Sequence, residues 1–327
     1  MARKLCLNCF RIKEKYEVCP YCGFSDNGPP RESFELRPGT ILSNRYIIGE
    51  ALGYGGFGIT YRGYDTTMSI VVAIKEFYPA GLVNRAEGTA KVGVFSGNKT
   101  QQYTDMLARF IDEARNLALF QAEKNVVNVF SYFEDNGTAY IIMEYVDSPI
   151  LGDYLKAKGK LSQEEACVCM DSVLEAVRKI HEKGIIHRDI SPDNIFYLEG
   201  GHVKIFDFGA ARLQGEAADG HLPPVVKPGY TPPEQYRTRA VQDERTDIYA
   251  CGALMYRMLT GEKPNESLDR LDKDRLQPPS RHGARVSHSV DRAVMKALAL
   301  DPEKRFATAE EFRNALDRKS VLPFGKR

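Results

Sequence analysis

Charge of one sign is missing from this sequence: 45 Lys and Arg stand against 44 Asp and Glu over 327 residues, a formal net charge of +1. A balance that close gives no global field to draw in a polyanion, so nucleic acid is not expected as a partner. No apolar run approaches the roughly 18–20 residues that a membrane-crossing helix needs. The opening Met1-Ala2-Arg3-Lys4-Leu5-Cys6 reaches cysteine and Asn8 before any apolar core, unlike a secretory signal. The expectation is therefore a cytoplasmic protein with no membrane segment. Cysteines are odd in number, seven, which argues against a disulfide framework. Fixed-period repeats and low-complexity tracts are lacking too. What remains is 43% apolar and 27% charged, a composition that excludes a largely disordered chain.

Four of the seven cysteines fall in the first 22 residues, as Cys6-Leu7-Asn8-Cys9 and Cys19-Pro20-Tyr21-Cys22-Gly23. Two cysteines two residues apart on a tight turn aim both thiolates at one metal, and two such knuckles close a tetrahedral site with no open position. Some 24 residues cannot bury a self-sufficient core, whereas a structural zinc supplies roughly 10–16 kcal/mol of folding energy. Residues 1–24 resemble a zinc ribbon, with Cys6, Cys9, Cys19 and Cys22 as the Zn²⁺ ligands. A surplus of three positive charges there drops to one once four thiolates and a Zn²⁺ are counted. That favours a structural role or a protein partner over nucleic acid. Residues 25–42, with Gly28-Pro29-Pro30 and Arg37-Pro38-Gly39, read as a linker.

From about Tyr46 the patterning is globular, strand-like at first and helical from about Leu161. Leu52-Gly53-Tyr54-Gly55-Gly56-Phe57-Gly58 is a G-x-G-x-x-G, whose glycines let backbone N–H groups approach phosphate oxygens. A dinucleotide loop of this spelling should open a helix. The segment from Ile59 to Ile74 is instead rich in Thr, Tyr, Val and Ile, so a strand–loop–strand hairpin is expected. Val72-Ala73-Ile74-Lys75 follows, with Lys75 placed 17 residues after Gly58. Then come His187-Arg188-Asp189-Ile190-Ser191-Pro192-Asp193-Asn194, Asp207-Phe208-Gly209, Pro232-Pro233-Glu234 and Asp247-Ile248-Tyr249-Ala250-Cys251-Gly252.

Motifs in this order resemble the eukaryotic-like protein kinases of bacterial serine/threonine type, over about residues 46–318. The resemblance implies an α+β, two-lobed kinase domain over 43–318, with an antiparallel-sheet lobe at about 43–144 and a helical lobe at about 147–318. It implies ATP and Mg²⁺ as cofactors, a protein substrate, and transfer of the γ-phosphoryl group to Ser or Thr in signalling. Lys75 should contact the α/β-phosphates and be held by Glu113, with Asp112 as the rival. Asp189 should accept or orient the hydroxyl proton, and Asn194 and Asp207 should hold Mg²⁺. Gly53, Gly55, Gly56, Phe57 and Gly58 should cover the phosphates. Leu52, Ala73 and Phe196 should sandwich adenine beside Thr60, with Met143 as gatekeeper and Glu144 and Val146 meeting the purine edge. Glu234 and Arg305 should form a buried ion pair, and Asp247 should brace the catalytic loop. The alternative is a nucleotide-binding pseudokinase scaffold, against which the intact Lys75, Asp189, Asn194 and Asp207 speak. A small-molecule kinase is disfavoured by Pro232-Pro233-Glu234 and the Asp247 helix.

Three features depart from the family pattern. Lys75 and Glu113 lie 38 residues apart, about twice the usual span, which makes 78–103 an insertion and a candidate site for a partner. Between Gly209 and Tyr230 there is no Ser, Thr or Tyr, so Arg188 is expected to meet a fixed carboxylate, Glu216 or Asp219, in place of a phosphate. Finally, the family's Lys two residues past the catalytic Asp is Ser191 here. Counting back seven from Glu234, where the family has the Thr that pairs with that Lys, lands on Lys227. The two residue types are expected to have exchanged places, with Lys227 and Ser191 both serving catalysis.

Overall fold

The computed structural model describes residues 5–14, 16–25, 30–121, 123–213, 226–237, 240 and 242–316. The chain divides into two compact units, one from residues 1–121 and 128–146, the other from residues 122–127 and 147–327. In the first, strands β1 (Ile41–Leu42), β2 (Tyr46–Gly55), β3 (Gly58–Asp65), β4 (Ile70–Phe77), β5 (Val83–Arg85) and β6 (Val92–Val94) precede helix α1 (Asn98–Ala118), β7 (Val129–Asp135) and β8 (Thr138–Glu144). Six of these strands form one sheet in the order β1-β2-β3-β4-β8-β7, antiparallel at every pairing. Period-2 burial drives this: in β3, Ile59, Tyr61 and Asp65 are buried while Thr60, Arg62 and Tyr64 are partly open.

Helix α1 turns Tyr103, Phe110, Glu113, Ala114 and Leu117 inward, a spacing of three, four and seven that keeps one helical face on the sheet. Phe77 at the end of β4 meets it, its ring centroid 5.2 Å from those of both Tyr103 and Phe110. The stretch read as an insertion is part hairpin, β5 with β6, and part helix. Its last residues, Asn98 to Tyr103, already belong to α1. Within the stretch read as linker, Glu35, Leu36 and Leu42 are buried.

The second unit holds α2 (Leu151–Lys158), α3 (Gln163–His181), β9 (Ile185–Ile186), β10 (Ile195–Tyr197), β11 (Val203–Ile205), β12 (Arg212–Leu213), α4 (Glu244–Thr260), α5 (Ser267–Asp272), α6 (His288–Ala297) and α7 (Ala309–Ala315). Helix α3 begins with a reciprocal cap. Glu165 N–H donates to Ser162 Oγ at 3.2 Å, and Ser162 N–H donates to the Glu165 carboxylate at 2.9 Å. Helix α4 is buried nearly all round, which makes it the central helix of this unit. Glu234 and Arg305 form the expected buried ion pair, at 2.6 and 3.0 Å. A sheet-based unit and a helical unit are the α+β architecture that the sequence predicts. Among the described residues, no helix is long and apolar enough to cross a membrane.

Candidate active site

In the first unit, β2 and β3 pair down to Gly55 opposite Gly58, so the glycine-rich loop is the tip of a hairpin. A Cβ added at Gly53, Gly55 or Gly56 would meet nothing within 4 Å, whereas one at Gly58 would come 1.8 Å from the Glu76 carbonyl oxygen. The first three leave open space over the backbone for phosphate oxygens. Gly58 is demanded by β4 instead, a reason that the motif alone does not reveal. Phe57 ties the tip to the chain beyond β4, its carbonyl accepting from Tyr78 N–H at 3.0 Å. Thr60 on β3 lies opposite Lys75 on β4, and Lys75 Nζ donates to both Glu113 oxygens, at 2.7 and 3.0 Å. Asp112 is not the partner. One residue round α1, it points outward and pairs with Arg115 at 2.9 Å. Ala73 is buried and lies opposite Met143 on β8, while Leu52 is exposed. Glu144 N–H donates to the Asn128 carbonyl at 2.8 Å, and its carboxylate accepts from Asn128 Nδ2 at 3.1 Å. Val146 closes the unit.

In the second unit, the catalytic loop runs from the end of β9 to the start of β10. Asp247, fully buried on α4, holds it by accepting from the backbone N–H groups of His187 and Arg188, each at 2.8 Å. His181 Nε2 lies 2.8 Å from the same carboxylate. Burial pushes the Asp247 carboxyl up, but the His181 hydrogen bond, the charges of His181 and His187 and the Arg188 N–H outweigh it and leave it below the usual range. Arg188 sits at φ 67° and Asp207 at φ 65°, left-handed positions that cost a non-glycine residue energy and persist only where the surroundings impose them. Gln235 Nε2 donates to the Arg188 carbonyl at 2.8 Å.

Asp189 stands at the centre of this loop. Asn194 Nδ2 donates to its carboxylate at 2.8 Å and to its carbonyl at 2.9 Å. With that nitrogen committed, the Asn194 amide oxygen is the atom left for a hard cation. Asp207 supplies a second hard oxygen donor set and accepts from Gly209 N–H at 3.3 Å. Phe196 packs against Phe206 with centroids 4.5 Å apart, and Phe206 N–H donates to the Asn194 carbonyl at 3.0 Å. Lys227 Nζ donates to Ser191 Oγ at 2.7 Å, and lies 3.1 Å from Asp193 Oδ2 and 3.9 Å from Asp189 Oδ1. Burial raises the Asp189 carboxyl above its ordinary value, with the Lys227 cation pulling the other way. Glu216 and Asp219, the carboxylates expected at Arg188, lie outside the described residues. Arg188 Nε donates to Gln242 Oε1 at 2.7 Å and one of its Nη groups donates to the Ala210 carbonyl at 3.3 Å.

The four N-terminal cysteines converge, with all their Sγ atoms within 4.8 Å of one another. Cys6 and Cys22, and Cys9 and Cys19, have Sγ atoms 3.6 Å apart. A tetrahedron with roughly 2.3 Å Zn–S bonds has sulfur atoms about 3.8 Å apart, so the set fits that metal. Asn8 N–H points at Cys6 Sγ from 3.4 Å. Burial pushes the Cys6, Cys9 and Cys22 thiols up, whereas at Cys19 the backbone N–H groups of Tyr21 and Cys22 and the neighbouring cysteines outweigh burial and bring the thiol down to about 7. Gly23 and Phe10, the residues after the two knuckles, both have positive φ, 73° and 54°.

The ribbon lies on the sheet of its own unit, which no motif foretold. Phe10 stacks on Tyr64 of β3 at 5.4 Å. A Cβ at Gly49 of β2 would strike the Leu7 carbonyl oxygen at 2.7 Å. One Nη of Arg62 donates to Asn8 Oδ1 at 3.3 Å, and the guanidinium lies 4.5 Å over the Tyr145 ring while also donating to its hydroxyl. Residues 8, 62 and 145 are joined only by folding.

Comparison with known families matches residues 46–316 to the protein kinase domain. The chain is 31% identical over 287 residues to "Probable serine/threonine-protein kinase CPE1738" of Clostridium perfringens, covering 86% of this chain and 39% of that protein. It is 32% identical over 291 residues to "Serine/threonine-protein kinase PknB" of Mycobacterium tuberculosis, covering 85% and 43%. To "Probable serine/threonine-protein kinase PknB" of Bifidobacterium longum it is 34% identical over 294 residues, covering 84% and 40%. This chain thus spans about two fifths of the length of these relatives. Among solved structures, "PpkA-294 apo form" superposes with a TM-score of 0.77 at 32% identity, covering 87% of this chain and all of that one. Sheet register, catalytic-loop geometry and a match that runs over most of the sequence agree, and the chain belongs to the protein kinase domain family.

Proposed function

We propose that this chain is an ATP-dependent kinase that transfers the γ-phosphoryl group to Ser or Thr hydroxyls of protein acceptors. The cluster at Asp189 carries the reading: a carboxylate fixed by Asn194 at 2.8 Å, with a lysine 3.9 Å away that also reaches Ser191 at 2.7 Å. Asp189 accepts or orients the proton of the incoming hydroxyl, and its raised pKa makes it a better acceptor than an ordinary surface carboxylate. Lys227 places a cation beside the site of transfer, in the role that the family gives to a Lys at the Ser191 position. In the first unit, the N–H groups around Gly53–Gly56 and Lys75, oriented by Glu113, hold the nucleotide phosphates. Leu52, Ala73, Met143 and the Glu144–Val146 backbone serve the adenine.

Mg²⁺, for which Asn194 and Asp207 offer hard oxygens, would offset charge on the phosphates when bound. Zn²⁺ at Cys6, Cys9, Cys19 and Cys22 would fix the ribbon without taking part in transfer. The ribbon's outward Tyr16, Val18 and Tyr21 favour contact with a protein partner. Reduced thiols and a need for ATP favour the cytoplasm.

The test incubates the chain with Mg-ATP and protein acceptors and maps phosphosites by mass spectrometry. Phosphoserine or phosphothreonine should form with the parent and not with Asp189→Asn. Phosphotyrosine alone would overturn the acceptor class, and nucleotide binding without any transfer would make the chain a pseudokinase.

A further inference from the structure

Phe34, Glu35 and Leu36 precede the main sheet, in the stretch whose composition reads as linker, yet each is fastened to a different strand of the first unit. The Phe34 carbonyl accepts from an Nη of Arg85 on β5 at 2.6 Å. Glu35 Oε1 accepts from the hydroxyl of Tyr54 on β2, and its Oε2 accepts from Arg31 N–H at 2.9 Å. Leu36 N–H donates to the hydroxyl of Tyr61 on β3 at 3.0 Å. The Phe34 ring meets Tyr54 edge-on at 6.0 Å and stacks on Tyr78 at 5.7 Å.

Behind these contacts lies one buried carboxylate, Glu76, next to Lys75 in β4. It is fully enclosed and takes the other Nη of Arg85, the Tyr61 hydroxyl at 3.1 Å and the Tyr140 hydroxyl at 2.9 Å. A buried charge paired and hydrogen-bonded on all sides is rigid, because loss of any partner leaves it uncompensated. Arg85 belongs to the β5–β6 hairpin, so the insertion and the pre-sheet segment share one anchor.

Tyr54 sits inside the glycine-rich loop, between Gly53 and Gly55, and half of it is open to solvent. The loop backbone is paired in the β2–β3 ladder as far as Gly55 opposite Gly58 and tied at Phe57 to Tyr78 N–H, and the Glu35 bond adds a side-chain tether from outside that hairpin. Burial and the Glu35 carboxylate push the Tyr54 phenol up to about 12, so it stays a donor at neutral pH.

We infer that Glu35, supported by Phe34 and latched through Arg85 to Glu76, is a positioning residue for the glycine-rich loop: by holding Tyr54 it sets the loop for nucleotide phosphates. This rests on the reading that Gly53–Gly58 takes those phosphates. A loop already held loses less freedom when phosphates bind, which favours nucleotides carrying them over the bare nucleoside.

The test measures dissociation constants of Mg-ADP and of adenosine by titration calorimetry on the full chain and on Glu35→Ala, Glu35→Gln and Tyr54→Phe. Tyr54→Phe keeps the ring and removes only the donor at a half-open position, so it guards against a variant that fails to fold. For Glu35→Ala and Tyr54→Phe, Mg-ADP binding should weaken roughly tenfold, the scale of one hydrogen bond to a charged group. Adenosine binding should stay within about twofold. Glu35→Gln, which keeps an acceptor, should fall between. The Glu35→Ala/Tyr54→Phe double variant should be no worse than Glu35→Ala alone, since both changes remove the Tyr54–Glu35 bond and only Glu35→Ala also releases Arg31 N–H. Equal weakening of Mg-ADP and adenosine, or an unchanged Mg-ADP constant, would overturn the inference. A parent chain that binds adenosine as tightly as Mg-ADP would instead overturn the phosphate-loop reading beneath it.

Discussion

Two lysines, one in each unit, meet their partners in opposite ways. Lys75 projects from a strand and pairs with a carboxylate on a helix, Glu113, with both oxygens engaged at 2.7 and 3.0 Å. Lys227 comes from a loop and reaches a hydroxyl, Ser191, and two carboxylates, Asp193 and Asp189, at 2.7, 3.1 and 3.9 Å. Regular elements fix the first pair, whereas the second depends on how a short irregular segment is tied down. Lys227 N–H donates to Thr231 Oγ1 at 2.7 Å, Gly229 N–H donates to Glu266 at 2.9 Å, and Ser267 Oγ donates to the Thr231 carbonyl at 2.7 Å. A strand and a helix fix a pair by their own geometry, whereas a cation on a loop needs such ties to be held at one point.

Exchanging residues would break this contrast most directly. Lys227→Ala and Lys75→Met should each lower kcat by roughly 10²–10³, the scale of losing one preorganised charge donor. The two pairs should then part company. Lys227→Thr with Ser191→Lys should recover much of the loss, because the cation returns to the same place from the other side. Lys75→Glu with Glu113→Lys should not, since the strand residue also serves the phosphates. Steady-state kinetics at saturating Mg-ATP checks both. A kcat for Lys227→Ala within about twofold of the parent would remove Lys227 from the mechanism.

A pH profile sharpens the same contrast at smaller amplitude. Burial raises the Asp189 carboxyl and the Lys227 cation opposes that rise. The group is active as the carboxylate, so activity is lost as pH falls through its pKa. Removing the cation favours the protonated form and should move the acid limb of kcat/KM upward in Lys227→Met. An acid limb at the parent's position would mean that Lys227 does not bear on the carboxylate that limits the reaction.

Zinc removal should have the smallest effect on turnover. Chelation should expose all four ribbon thiols to an alkylating reagent and lower the melting temperature, because the metal supplies folding energy to residues too few to form a core. With Mg²⁺ replenished, kcat should stay within about threefold of the parent, since the ribbon contributes no group to transfer. Metal analysis that finds no zinc in the purified chain would refute the site. A collapse of kcat on chelation would mean that the Asn8–Arg62–Tyr145 contacts carry more than ribbon docking.

Much of the fold and the site was legible because the signals were local. The Thr-, Tyr-, Val- and Ile-rich stretch of β3 and β4 and the short spacings among His187, Asp189 and Asn194 each concern residues a few positions apart. The pairing of Lys75 with Glu113 could be chosen over Asp112 because a helix puts adjacent residues on different faces. Even the contact between Lys227 and Ser191 was within reach, since it needed only a count between motifs. By contrast, Gly58 had a phosphate role by spelling, but its missing side chain is explained by the Glu76 carbonyl across the sheet. No pattern distinguishes Glu35 in a polar stretch, or Arg85 in a hairpin, from a solvated surface charge.

The sequence by itself determined the strand-rich and helix-rich halves, the order of the motifs, the pairing of cysteines into two knuckles and the residue types able to bind phosphate and accept a proton. Those follow from short-range periodicity and side-chain chemistry, which any local window contains. The tertiary structure alone decided that the ribbon lies on β2 and β3, that Glu76 gathers Arg85, Tyr61 and Tyr140, and that Glu35 holds the glycine-rich loop through Tyr54. These contacts join residues whose separation in the chain has no periodicity to announce it, and they form because an enclosed charge or hydroxyl must find a partner wherever the packed sheet offers one.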